Sequence, residues 1–166
     1  MVVKQPTIQR REHKDRFLAF YDASFQEAYR YAGRLCGSDR EAAEDLVQEA
    51  YMAILQQMRA NPSRELGTGY VITTIRNRFL DRVRSAARED RRLRLVAAGP
   101  AEPEPALMPS QLAALPERDR AALVLRYVDD LSVPEVADAL DLSVHATESL
   151  LVRARARLRG KETRHA

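Results

Sequence analysis

The chain has 166 residues, 45% hydrophobic and 31% charged, enough for one ordinary domain or two small ones with well-charged outer faces. One cysteine, Cys36, excludes a disulfide framework or a cysteine-based zinc site, and no apolar run approaches the ~20 residues of a membrane helix or forms a signal-peptide core. Net charge is only +3, but arginines crowd positions 75–94 and 153–165 while acids crowd 39–49 and 129–138, so two kinds of partner are expected, one of them nucleic acid.

Helical periodicity carries nearly all the signal, and no stretch alternates convincingly with a strand period. The first helix shows its apolar face from Phe17 through Phe20, Tyr21, Phe25, Ala28, Tyr29 and Ala32, and Gly37 and Ser38 break it. Cys36, near that break, reads as a small buried hydrophobe. Ser38 or Asp39 is placed to cap a second helix, whose stripe is Ala43, Leu46, Val47, Ala50, Tyr51, Ile54, Leu55 and Met58. On its other face Asp45, Gln48 and Glu49 recur at i, i+3 and i+4, so they share one side of the helix. Straight-helix acids without a glycine-bearing loop are poor cation ligands, and no metal or cofactor is expected. "NPSRELGTG" at 61–69 reads as a loop. A third helix is expected over 70–94, with Val71, Ile75, Phe79, Leu80 and Val83 inward. Its Arg76, Arg78, Arg82, Arg84, Arg88, Arg91 and Arg92 supply charge that neutralises phosphates without reading bases.

"VAAGPAEPEPALMPS" at 96–110 is too rich in proline for a helix and reads as an extended linker between two domains. Beyond it, Leu112, Leu115, Leu123, Val124, Tyr127 and Val128 suggest short helices. Val133, Val136, Ala137 and Leu140 then mark one helix, with Pro134 in its first turn, where the missing N–H costs nothing. Asp141 occupies the turn, a residue type that tolerates left-handed backbone better than most. Ser143 caps a final helix with Val144, Leu151, Ala154 and Leu158 inward. Two short helices around a three-residue turn, with a small residue at the crossing, form the pattern of a helix-turn-helix. The expected fold is therefore all-α, two small helical domains joined by a flexible Pro-rich linker, the second a helix-turn-helix. Three scattered histidines (His13, His145, His165), no Gly-rich phosphate loop and no nucleophile elbow argue against an enzyme.

Two stretches resemble a known family. "DREAAEDLVQEAYMAIL" followed by "GYVITTIRNRFLDRVRS" is similar to region 2 of sigma-70-type RNA polymerase sigma factors. "LPERDRAALVLRYVDDLSVPEVADALDLSVHATESLLVRARARLR" is similar to region 4. The absence of room for the family's other regions matches the small extracytoplasmic-function (ECF) class. The resemblance implies region 2 at 12–95, a linker at 96–109 and region 4 at 110–160, in a cytoplasmic initiation subunit that reads −10 and −35 elements and opens the duplex. Partners implied are core RNA polymerase (β′ clamp helices through region 2, β flap through region 4), promoter DNA and an anti-sigma factor, without membrane contact of its own. A stand-alone helix-turn-helix regulator is the alternative, but it leaves the acidic ridge without a purpose.

By the same resemblance, Glu41, Glu44, Asp45, Gln48 and Glu49 would dock on polymerase. Tyr70, Thr73, Arg76, Asn77, Arg78, Arg82 and Arg84 would face the −10 element. Asn77 suits a base edge because an amide both donates and accepts. Tyr70 stands where the family usually has Trp, beside the loop that would hold a flipped base. Ser143, His145, Ala146, Glu148, Ser149, Arg153, Arg155 and Arg157 would face the −35 element, the arginines on backbone phosphates. Glu148 and Leu150 occupy positions where many relatives carry Lys or Arg.

Overall fold

The computed structural model describes residues 5–93 and 110–162, so the linker expected at 96–109 lies outside the described residues. These residues form α1 (Gln5–Cys36), α2 (Arg40–Ala60), α3 (Gly69–Leu93), α4 (Ser110–Ala113), α5 (Glu117–Tyr127), α6 (Val133–Leu140) and α7 (Val144–Glu162), with no strand among them. The first three helices pack on one another as an N-terminal unit, and α4–α7 form a C-terminal unit.

Helix α1 begins well before Phe17, where the apolar periodicity starts. Its first turns are rich in Gln, Arg, Lys and Glu, good helix formers that leave no hydrophobic stripe to read. It ends at Gly37, whose φ of +72° lets its N–H return 2.8 Å to Gly33 O. Asp39 is the cap of α2, its carboxylate accepting from Ala42 N at 2.8 Å. The α2 stripe is buried as expected apart from half-buried Leu55, and Val71, Ile75, Phe79, Leu80 and Val83 of α3 pack against the same core. Each fully buried side chain such as Leu46, Ile54 or Phe79 contributes ~1.5–3 kcal/mol of transfer free energy. Phe17, Tyr21, Phe25 and Tyr29 make a column along α1, with Tyr51 of α2 4.7 Å from the Tyr21 ring. Tyr51 also shares a 2.7 Å hydrogen bond with buried Ser24.

In the C-terminal unit, Ser132 and Glu135 form a reciprocal capping box on α6, with Pro134 in the first turn. The helix ends on Asp141 in left-handed backbone (φ 54°, ψ 52°), and Leu142 N–H returns 2.9 Å to Ala137 O. Ser143 caps α7 by accepting from Ala146 N at 3.2 Å. The inward face of α7 differs from the expectation at its start: Val144 is 44% exposed, and Thr147 and Leu150 are buried beside Leu151 and Ala154. The buried row runs 147, 150, 151, 154 and continues to half-buried Leu158, a regular helical stripe that Val144, one residue past the cap, precedes. Tyr127 and Val128 also lie outside the core, at 57% and 47% exposure. They stand at the C-terminal end of α5, Val128 as its cap residue.

The two units touch. Helix α1 packs on α4 and α5, and α3 packs on α6. The buried guanidinium of Arg120 crosses this boundary: Nε donates 2.7 Å to Leu35 O, and Nη1 donates to Leu115 O (3.0 Å) and Ala113 O (3.3 Å). It lies where a side chain on residue 37 would project, so a Cβ there would stand 2.6 Å from Nη1.

Candidate nucleic-acid and protein interfaces

On α2 all five residues of the acidic ridge are exposed, but they are not equivalent. Glu44 accepts from Arg40 Nε at 2.8 Å and from Tyr29 OH at 3.4 Å. Glu49 reaches across to α3, 2.7 Å from Arg82 and 3.5 Å from Arg78. Asp45 and Gln48, together with Glu41 in the first turn, hold no side-chain partner among the described residues, so they keep their full capacity for another molecule. Beside them an apolar groove of 320 Å³ runs between α1 and α2, lined by the aromatic column, Gln48 and Met52, the last 54% exposed. An acidic edge against an apolar groove suits a basic amphipathic helix.

The arginine face of α3 is more committed than its sequence suggests. Arg78 and Arg82 lean on Glu49. Arg76 lies 3.6 Å from Asp129, and Arg84 bonds Asp81 as well as Ala139 O (2.9 Å) and Asp138 O (3.4 Å). Arg88 is exposed, and the side chains of Arg91 and Arg92 lie outside the described residues. Asn77 is exposed and its amide has no partner among the described residues; it stands one turn from Thr73, whose hydroxyl donates back to Gly69 O. Tyr70 is half-buried at the start of α3, and the guanidinium of Arg64 lies 5.3 Å from its ring centroid. Arg16 of α1 holds the 61–68 loop by donating to Pro62 O and, at 3.2 Å, to Arg64 O. Tyr70, Thr73 and Asn77 thus line one face of α3 beside a pinned loop, an arrangement suited to an unstacked base.

On α7, His145, Glu148, Arg153 and Arg155 are exposed, with Ala146 and Ser149 half-buried between them. Ser143 is occupied in capping the helix. Arg157, expected on DNA phosphates, is 52% exposed and ion-paired to buried Asp119 of α5, so it also ties two helices of its own unit. Leu150 is core, so its apolar identity answers to packing and not to DNA. Sequence reasoning missed Val144 and Val152, 44% and 56% exposed beside His145 and Glu148. Their signal was available: Val152 falls off the 147–150–151–154 stripe, and an exposed methyl in a recognition helix can meet a thymine methyl.

Burial perturbs two groups near the boundary between units. It is the largest cause pushing the Cys36 thiol up to about 12. Burial, reinforced by the 2.7 Å hydrogen bond it donates to Asp129, raises the Tyr31 hydroxyl well above the usual phenol range. Neither group is poised for chemistry near neutral pH. No cluster of three metal-ligating side chains occurs among the described residues, and no helix there is long and apolar enough to cross a membrane.

The family model described as Sigma-70 region 2 matches residues 20–89, and that described as Sigma-70, region 4 matches residues 107–158. The ECF RNA polymerase sigma factor SigE of Mycolicibacterium smegmatis is 32% identical over 173 residues, an alignment covering 93% of this chain and 60% of that protein. The chain thus spans about 60% of the length of this relative. Among solved structures, the sigma factor RpoE co-crystallised with the anti-sigma factor NepR from Bartonella quintana matches with a TM-score of 0.46 and 23% identity, over 90% of this chain and 95% of that one. An RsbN–BldN complex matches at 0.37 and 21%, over 90% and 96%.

Proposed function

Because the chain belongs to the sigma-70 family, with the region 2 and region 4 pairing of its ECF class, we propose that it is a dissociable initiation subunit that gives core RNA polymerase its promoter specificity. The observation that carries this reading is the coexistence, in family order, of an exposed acidic helix face and a helix-turn-helix on one short chain. A regulator that only bound DNA would have no use for Asp45 and Gln48 held out beside an apolar groove. In this reading region 2 occupies 12–95, the linker 96–109 and region 4 110–160. Region 2 docks on the β′ clamp helices through Glu41, Asp45 and Gln48, with Glu44 and Glu49 at the margin. Region 4 meets the β flap.

At the −10 element Asn77 and Thr73 offer hydrogen-bonding groups to a base, and Tyr70 offers a stacking face. Arg76, Arg78, Arg82 and Arg84 neutralise phosphates once their internal partners are exchanged. At −35, His145, Glu148 and Ser149 face base edges, and Arg153 and Arg155 hold the backbone. Glu148 would accept from a cytosine amine. The protein acts by binding rather than by catalysis, in the cytoplasm, and an anti-sigma factor is the family's usual restraint.

The test is transcription from a promoter library by core polymerase with and without the protein, together with Asp45→Arg/Gln48→Ala. Both substituted side chains lack internal partners, so stability should shift by no more than about 0.5 kcal/mol per site. The protein should create new start sites, and the double variant should lose both them and co-purification with core. A double variant that assembles at wild-type yield overturns the docking assignment. No protein-dependent start sites at all would overturn the function.

A further inference from the structure

We propose that the outer face of α2 binds the same face of a second copy, so that the free protein forms a two-fold antiparallel dimer through this helix. The association goes beyond the sigma reading and does not depend on it.

Asp45, Gln48, Met52, Gln56 and Arg59 are all exposed on α2. Their successive spacings are 3, 4, 4 and 3, which at 3.6 residues per turn keeps the five within about 40° of one line along the helix. The row reads alike from either end except that its terminal charges are opposite. Met52 is its midpoint, two turns from each end. None of the five holds a side-chain hydrogen bond or ion pair among the described residues. Met52, large and apolar, is 54% exposed.

A second copy turned through 180° about an axis at Met52 complements every position in this row of about 21 Å. Asp45 of each copy meets Arg59 of the other. Gln48 faces Gln56, and two amides can each donate and accept. The two Met52 side chains cover one another on the axis, where an unbranched thioether adapts readily to its neighbour. A parallel pairing would set Asp45 on Asp45 and Arg59 on Arg59, so charge selects the antiparallel one. The polarity continues beyond the row. Arg59 lines a 580 Å³ hollow with Arg11, Lys14, Leu18 and Leu55, and no carboxylate lines it. At the other end exposed Glu41 extends the acidic edge. The antiparallel pairing thus brings the acidic end of each copy to the basic end of the other, the arrangement of an isologous interface.

Exposed ion pairs are weak and one helix face is small, so the dimer is concentration- and salt-dependent. Asp45 and Gln48 are also the groups offered to polymerase, so under the sigma reading dimer and holoenzyme compete for one face.

The experiment is analytical ultracentrifugation of the full chain from micromolar to submillimolar concentration, with circular dichroism to verify folding. The wild type should pass from monomer to dimer, and raising salt from about 0.05 to about 0.5 M should weaken the dimer at least ~tenfold. Asp45→Lys alone and Arg59→Glu alone should each weaken it at least ~tenfold, because each turns both terminal attractions into repulsions. An equimolar mixture of these two variants should restore dimer to within about threefold of wild type, since every end contact is again between opposite charges. Met52→Lys, which sets two ammonium groups on the axis, should remain monomeric. A wild type that is monomeric throughout overturns the proposal and leaves the face to other macromolecules. A dimer indifferent to all three substitutions uses another surface and overturns it equally. Single variants that dissociate without rescue in the mixture refute the antiparallel register. A dimer that behaves as described but yields no transcripts with core polymerase would sink the sigma reading and leave the association standing.

Discussion

Arg157 and Asp119 are an unequal pair, and removing each should have a different cost. Asp119 has a side chain 6% exposed in the first turn of α5, where Pro116 offers no capping side chain, and Arg157 is its ion-pair partner. Arg157 itself is 52% exposed. Arg157→Ala leaves a buried carboxylate with only the helix N-terminus for support. Hydrogen bonds to charged groups are worth ~1.5–3 kcal/mol, and a buried charge stripped of its partner sits toward the upper end. Water can enter where the half-exposed guanidinium was, so about 2 kcal/mol is expected. Asp119→Ala leaves an arginine that rehydrates freely and should cost only about 1 kcal/mol. Adding Asp119→Asn to Arg157→Ala should then restore about 1 kcal/mol, because the stranded charge is gone. Urea unfolding followed by circular dichroism reads all four proteins, and Arg155→Ala, at a site exposed and without a partner among the described residues, is the control at about ±0.5 kcal/mol. The two residues should also separate on DNA: Arg155→Ala weakens duplex binding, whereas folded Arg157→Ala retains it. If Arg157→Ala is no less stable than Arg155→Ala and loses as much DNA affinity, Arg157 is a phosphate contact and its role in the fold is refuted.

Ser132→Ala should remove the α6 capping box and about 1 kcal/mol of stability in the same unfolding assay. The Ser132 hydroxyl and N–H hold Glu135 below the usual carboxylate range. Its contribution is therefore present above the ordinary glutamate value and lost as pH falls through the lowered one, so wild-type stability should fall more steeply than that of Glu135→Gln from about pH 5 downward. Parallel curves for the two would refute the link. Asp141→Gly should stabilise the protein by about 0.5 kcal/mol, since glycine takes the left-handed turn without steric cost; a loss would show that the aspartate side chain does more than tolerate the turn. Cys36 in the folded protein should be alkylated at pH 8 at least ~100-fold more slowly than a free thiol, and labelling at the free-thiol rate would show that its pocket opens readily.

Much of the architecture was legible because it is local. The stripe from Ala43 to Met58, the Asp39 cap, the Pro134 start and the Asp141 turn each depend on neighbours within one or two helical turns. Where the reading failed, the information lay elsewhere. The first turns of α1 carry no apolar period to announce them. Val144 and Thr147 exchanged roles because a cap shifts which residue first faces inward, and threonine does not look like core until its hydroxyl is seen donating to Ser143 O at 3.0 Å. Among site residues, exposure of the acidic ridge followed from helical spacing. The partners of Arg76, Arg84 and Arg157 did not, because they come from 53, 55 and 38 positions away. An arginine on an exposed face looks the same in sequence whether it waits for phosphate or is already bonded to a carbonyl.

Those separations also set an order in time. Arg84 meets a carbonyl that belongs to a residue 55 positions later in the chain. At the ~5–20 residues per second of synthesis, that carbonyl is made about 3–11 s after Arg84 itself. The contacts among α1, α2 and α3 need nothing downstream of α3, so the N-terminal unit can assemble before the later partners of Arg76 and Arg84 exist. The packing of α3 against α6 therefore forms only after the N-terminal unit has been made.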